Sequence, residues 1–585
     1  MQQVKTLNTK IMNTSKLTTT LVILLYFSLL STLCAQNGVQ VPRYGILFSE
    51  IMADPSPSIL LPEAEYLELY NRTETRQELT GWTLKIGNTV KNLPDFVIDS
   101  GGYVIIIAQK YESLFTELCD HIVTLSSLSL TDGGQSLTLS DEAGNVIDHV
   151  SYRSTWHTAS IKREGGWSLE LKDAALPCLG RANWDSSTDD SGGTPGRENA
   201  IRCTLQDFDP PEIERVTLTD SQTLRIWFSE PLFSETAPAT TLFEIRPPIS
   251  INSITEVPPA FNALDLHLAN TPNIGTLYTV TVRNSLCDCA GNLLSSGTFT
   301  RFGYAQPPNE NDLIINEILS HPKDGSDADF IEIYNRSSKI IDLRDVKIGS
   351  GGSNLPDKAV VAVSGGRQLF PQQYCALCKD KSLTMTHYNC PYPHNLQACD
   401  SLPSYANAQG VVWLTNRSLE RIDRLSYSDE MHYSSLLSTE GVSLERLRAD
   451  VPTQELANWH SAASSAGYAT PGYQNSQAEQ ERPTDSLAIV PDIISPDNDG
   501  YNDFSEIFLT FAQHDNRLTI TICDAYGHPI CHLVNNELCG VTAQYRWEGT
   551  DDYGRRVPRG QYLVLLQWWN SSGTKRSQRK VIGVW

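Results

Sequence analysis

Apolar and polar residues alternate along this 585-residue chain over short stretches, and turn residues interrupt them about every ten positions. Leu518-Thr519-Ile520-Thr521-Ile522, Tyr278-Thr279-Val280-Thr281-Val282 and Leu137-Thr138-Leu139 have the two-residue period of half-buried strands. The third runs into Asp141-Glu142-Ala143-Gly144-Asn145, a sequence built for a turn. Tyr103-Val104-Ile105-Ile106-Ile107-Ala108 is apolar throughout but only strand-sized. No 3.6-residue apolar period is sustained. The pattern predicts an all-β fold of antiparallel sandwiches.

The pattern also repeats. Residues 46–73 and 314–337 share an apolar-Glu-apolar opening and an aromatic-x-Glu-x-Tyr-Asn-Arg strand, which places Glu50 with Glu317 and Glu68 with Glu332. Asn92-Leu93-Pro94-Asp95 recurs as Asn354-Leu355-Pro356-Asp357, and Ile147-Asp148 as Ile422-Asp423. Asn183-Trp184 recurs as Asn458-Trp459, and Thr194-Pro195-Gly196 as Thr470-Pro471-Gly472. The offset is 262 at Asp95 and 275 at Ile147, so the second copy gains 13 residues between them. Cys375, Cys378, Cys390 and Cys399 fall in that interval, which predicts a disulfide-pinned surface loop.

Four β modules follow from this reading: 44–200 and 311–476 as the two copies, 206–304 between them, and 484–585 at the end. The middle segment carries Leu224-Arg225-Ile226-Trp227-Phe228-Ser229-Glu230-Pro231 and Asp288-Cys289-Ala290-Gly291-Asn292. The last opens on Ser495-Pro496-Asp497-Asn498-Asp499-Gly500-Tyr501-Asn502-Asp503 and closes on a strand ending at Trp585.

Ahead of the modules stand three lysines, the apolar run 21–30 and the small-residue site before Gln36, the three-part plan of a signal peptide over residues 1–35. No later stretch is long enough to cross a membrane as a helix. The chain is therefore expected to be exported, to the extracellular or outer-membrane surface. Its 45 Lys and Arg against 68 Asp and Glu give a net charge of −23, or −26 without the lysine-bearing leader. That balance argues against a nucleic-acid partner. Twelve cysteines remain after the leader, an even count that favours disulfides in an oxidising compartment.

The repeated unit resembles the lamin-tail domain in the form found in secreted bacterial proteins. The Phe-Ser-Glu-Pro and Asp-x-Ala-Gly-Asn segment resembles the bacterial Ig-like domain of surface-layer and adhesin-like proteins. The last module is similar to flagellar hook-cap Ig-like domains and to the gliding-motility-associated C-terminal domain of Bacteroidetes surface proteins. The second resemblance implies sorting by type IX secretion machinery. Asp524-Ala525-Tyr526-Gly527 stands where that domain has Asn-Arg-Trp-Gly and fits the hook-cap form better.

Asp497, Asp499 and Asp503 bring three carboxylates around Gly500 and are the candidate ligands of a calcium ion; an Asx turn opening a strand would need the same residues. The repeated glutamates could serve hydrolysis, yet alternation sets Glu68 between Tyr66 and Tyr70 on one strand face, as suits a carboxylate accepting backbone or Asn hydrogen bonds at a sheet edge. Cys375-x-x-Cys378 with Cys390, Cys399, His387 and His394 offers a zinc set, against which stands oxidation to disulfides. Trp184 and Trp459, at equivalent positions, are expected in the cores, while one of Trp568 and Trp569 should lie exposed. No nucleophile or phosphate-binding motif is present. The expectation is a non-enzymatic structural or adhesive protein that meets a protein or glycan at the surface. The alternatives are an accessory binding protein of an exported nuclease or phosphatase and, third, an enzyme using the repeated glutamates.

Overall fold

The computed structural model describes residues 41–585 apart from 234–237, 285, 327, 400, 435, 480–483 and 571–572. The leader at 1–35 lies outside the described residues. Strands dominate and fall into four consecutive groups, with no sheet shared between groups among the described residues. No helix of the described residues is long and apolar enough to cross a membrane.

In the first group, Ile46–Met52 lies at the heart of a six-stranded sheet, between Leu169–Leu171 and Tyr66–Asn71. Beyond Tyr66–Asn71 come Tyr103–Ala108 and then Ile122–Leu125, the latter parallel. A four-stranded sheet of Val146–Arg153, Gly134–Ser140, Thr83–Ile86 and Thr89–Asn92 faces it. Alternation explains the packing: Leu67 and Leu69 enter the core between the sheets with Val104, Ile106, Leu137 and Leu139, while Tyr66 joins Ile105, Ile107 and Phe115 on the outer side.

The third group repeats this topology with Leu313–Leu319 in the central place, flanked by Leu444–Arg446 and Phe330–Asn335. Trp184 and Trp459 are buried in equivalent core positions, as expected. In the second group, Ile213–Leu218, Thr223–Phe228, Ala263–Leu268 and Ile251–Glu256 form one sheet and Phe243–Arg246, Tyr278–Val282 and Phe299–Phe302 the other. The last group sets Ser486–Val490, Ser505–Thr510 and Thr542–Trp547 against a five-stranded sheet whose longest members are Pro529–Cys539, Gly560–Asn570 and Lys575–Val584. The molecule is a tandem array of β-sandwiches.

Several sequence expectations are corrected here. The Cys375-x-x-Cys378 part of the added segment is not a surface loop. Cys375 and Cys378 lie on the buried strand Tyr374–Cys378, whose counterpart is Tyr103–Ala108, and both are free thiols. Their three-residue spacing turns the sulfurs to opposite faces of the sheet, Cys375 into the inter-sheet core and Cys378 to the outer cluster, so they can neither bond nor share a zinc. The residues after them fold as a short helix, Lys381–His387, and a strand, Leu396–Ala398, that extends the sheet in parallel. A disulfide joins Cys178 of the first group to Cys289 of the second. In the last group, Trp568 is buried and Trp569 is only partly exposed on the outer face.

Candidate functional site

Both copies close around three glutamates. Glu50 sits directly opposite Glu68 on one side and Glu170 on the other, and Glu317 likewise opposite Glu332 and Glu445. All six are fully buried. Like charges directly across a ladder repel, so the arrangement persists only because donors converge on it.

Those donors come from the Thr-Pro-Gly loop and its approach. The amide of Thr194 donates to Glu50 Oε1 (2.8 Å), its hydroxyl to Glu170 Oε1 (2.9 Å) and the amide of Gly196 to Glu68 Oε2 (2.6 Å). In the second copy Thr470 N donates to Glu317 Oε1 (2.8 Å), Thr470 Oγ1 to Glu445 Oε1 (2.9 Å) and Gly472 N to Glu332 Oε2 (2.6 Å). Ser168 and Ser443 donate to Glu50 and Glu317. A register shift between Phe48 and Glu50, matched between Ile315 and Glu317, puts two consecutive side chains of the central strand beside the cluster. Thus Ser49 donates to Glu68 and Asn316 to Glu332. Asn199 and Asn475 then tie the chain after the loop to two main-chain carbonyls each. The cluster is a clasp that locks the C-terminal segment of each unit across its central strand.

Burial sets the protonation. Desolvation, then the Glu170 charge, raises Glu50 to about 7; desolvation, then Glu445, raises Glu317 to about 8. Burial and the neighbouring glutamate also hold Glu68 and Glu332 well above the usual carboxylate range. Burial thus favours protonated carboxyls in each cluster, which relieves the repulsion across the ladder. The carboxylates accept the hydrogen bonds expected of them, from backbone and Asn, but in the middle of the sheet and not at its edge. With every one covered and engaged, they offer a substrate no access in this structure.

Sequence reasoning found two glutamates of each three. Glu170 and Glu445 were missed because Leu-Glu-Leu and Leu-Glu-Arg look like any strand, although Ser168-Leu169-Glu170 and Ser443-Leu444-Glu445 recur at the same 275-residue offset as Trp184 and Trp459.

The calcium candidates do converge: carboxylate oxygens of Asp497, Asp499 and Asp503 lie within 4.8 Å of one another, on a mostly exposed loop. The loop is also an Asx turn. Asp503 accepts from Asn498 N (2.5 Å) and Gly500 N (2.8 Å), Asp499 from Tyr501 N (2.7 Å) and Asp497 from Asp499 N (3.2 Å). One oxygen each of Asp497 and Asp499 takes no main-chain donor in that network. Three protein carboxylates supply fewer than the six to eight oxygens calcium takes, so water or main-chain carbonyls would complete its shell. A second acidic group, Asp207, Glu230 and Asp288, joins residues distant in sequence. Burial, then Asp288 and Asp207, raises Glu230 to about 7.

Residues 42–154 match the family model of the Lamin Tail Domain. No curated protein matches the chain. Among solved structures, the S-layer protein rSbsC is similar at 12% identity and a TM-score of 0.15, over 64% of this chain and 54% of that one. Dimeric latent PorU from Porphyromonas gingivalis is similar at 9% and 0.14, over 92% and 34%. PorZ of the same organism, titled an essential surface component of the type-IX secretion system, is similar at 11% and 0.15, over 90% and 81%. The chain thus spans about half the length of the S-layer chain.

Proposed function

We propose that this protein is a non-enzymatic component of the cell surface, a stiff array of β-sandwiches that presents its loops and sheet faces to a protein or glycan partner. The observation that carries the reading is the tying of every junction between strand groups. Cys178–Cys289 and the bond from Arg43 to the carbonyl of Leu232 (2.7 Å) join the first to the second. Gln368 exchanges two hydrogen bonds with the main chain of Gly303, and Thr217 donates to Asp342, joining the second to the third. Ser464 donates to the carbonyl of Leu538 (2.6 Å) and Val541 N to that of Ser476 (2.8 Å), joining the third to the fourth. An enzyme of flexibly linked modules has no need of such bracing, whereas a presenting rod does. The leader-like N-terminus and the buried, hydrogen-bonded state of the repeated glutamates support the same reading. Calcium on Asp497, Asp499 and Asp503 belongs to the proposal as a further stiffening element.

Protease shaving of intact producing cells tests it, beside a truncation after Glu479 that removes the last module. Loss of the full-length protein on shaving, and loss of surface exposure on truncation, are the expected results. Protection of the full chain inside the cell envelope overturns the surface reading; unchanged exposure of the truncated chain removes only the sorting role of residues 484–585.

A further inference from the structure

Each repeated unit carries a cross-strand tyrosine pair at one end of its outer sheet face. Tyr70 and Tyr103 are directly paired across strands with ring centroids 4.8 Å apart, and Tyr334 and Tyr374 with centroids 4.7 Å apart. All four are partly exposed. The phenol hydroxyls of Tyr334 and Tyr374 make no hydrogen bond among the described residues.

In the second copy the pair lines a cleft of about 480 Å³. It is also lined by buried Asn316, whose amide donates to Glu332 and Asn475, and by buried Asn475, whose amide donates to the carbonyls of Asn316 and Arg446. Its exposed wall is hydrogen-bonding: Arg448 grips Asp450 through two bonds (3.1 and 2.7 Å), lies 3.9 Å from Glu479, and shares the wall with Gln474. The first copy has Arg202 and Glu198, paired with each other, near Tyr103.

We infer that the Tyr334–Tyr374 cleft binds a carbohydrate, setting the C–H face of a pyranose ring against the ring surface that the packed tyrosine pair leaves to the cleft and its hydroxyls on Asp450, Glu479, Arg448 and Gln474. The inference rests on the proposed surface role and gives it a ligand class. The chemistry selects among occupants. An added peptide strand needs a free sheet edge, but Phe330–Asn335 is paired on both sides. A nucleic acid meets two carboxylates on the wall of a protein with net charge −23. A lipid tail needs an apolar channel, whereas this cleft is walled by charge. A ligand with apolar faces and hydroxyl edges matches both halves of the surface.

Titration of the full mature chain with cellohexaose, laminarihexaose, mannohexaose and tri-galacturonic acid, followed by isothermal calorimetry and by saturation-transfer NMR, tests this. Binding of at least one probe is expected, weakened by about tenfold in Tyr374→Ala and Tyr334→Ala and close to wild type in Tyr374→Phe, which keeps the ring. Thermal melts separate a local loss from unfolding, and Asp450→Asn, on an exposed side chain, gives an independent readout of the polar wall. No binding of any probe up to about 10 mM overturns the assignment, as does binding unchanged in the Tyr334→Ala/Tyr374→Ala double variant. Either result leaves the surface reading to stand or fall on the shaving experiment.

Discussion

The hydroxyl of Thr470 lies 2.9 Å from Glu317 Oε2 and 2.9 Å from Glu445 Oε1. It has one proton to give, so it can donate to only one of these oxygens. The other contact is a hydrogen bond only if that glutamate carries a proton. A proton on Glu317, in keeping with the pKa that burial and Glu445 raise, makes both contacts hydrogen bonds.

Stability should therefore depend on pH in an unusual direction. Glu50 and Glu317 have folded values of about 7 and about 8, above the ordinary glutamate value of 4.5, so the folded state binds these protons more tightly than the unfolded chain. Their contribution is complete below about pH 4.5 and is lost as pH rises toward 8. Urea unfolding at pH 5, 7 and 9 should show stability falling by several kcal/mol across the range. In Glu317→Gln, which keeps an acceptor oxygen and cannot ionise, the slope should shrink and the stability at pH 9 should exceed wild type. A steeper slope in that variant would refute the protonated clasp.

Removing the threonine hydroxyl should be costly in either copy. Thr470→Val keeps the shape but leaves buried carboxyl oxygens without their donor, a loss of about 1–3 kcal/mol, and Thr194→Val should behave alike. Gly472→Ala should also destabilise, because Gly472 has φ of +90° and a Cβ there would meet Asn395 and Leu396 at 3.0 Å. Thermal melts of the three variants check this; a wild-type melting temperature for both threonine variants contradicts a structural role for the clasp.

Non-reducing peptide mapping should recover Cys178 linked to Cys289, with Cys375 and Cys378 alkylated after unfolding. A peptide linking Cys375 to Cys378 would require the strand Tyr374–Cys378 to be rebuilt, since sulfurs on opposite faces of a strand cannot meet.

If calcium occupies the Asp497 loop, adding it to chelator-treated protein should raise the melting temperature, with a stabilisation of about 2.7 kcal/mol at a hundred times the dissociation constant. Asp497→Asn/Asp499→Asn should reduce this gain while preserving the turn, because each replacement keeps an oxygen to accept its main-chain donor. Asp503 is left intact since both its oxygens hold the turn. An equal calcium response in wild type and the double variant places the ion elsewhere.

Much of the architecture was legible in the residue pattern, because strand faces are set by an alternation that needs no tertiary information. Repetition sharpened it: Glu50 and Glu68 stood out only because Glu317 and Glu332 stand in the same frame. Where the reading failed, the missing ingredient was direction or distance. Cys375-x-x-Cys378 suggests convergence on a loop and divergence on a strand, and spacing alone does not say which applies. Trp568-Trp569 correctly divided between two faces, yet only the packed sheet determines that the outer one is partly covered.

By itself, then, the sequence determined the strands, the duplicated unit and which face of each strand is apolar, since these follow from local periodicity and from the chain's likeness to itself. Only the tertiary structure decided that Glu170 completes Glu50 and Glu68, that Asp207, Glu230 and Asp288 meet, and that Cys178 pairs with Cys289 across 111 residues. Those partners are brought together by the closing of sheets and the docking of modules, and neither event leaves a period in the chain.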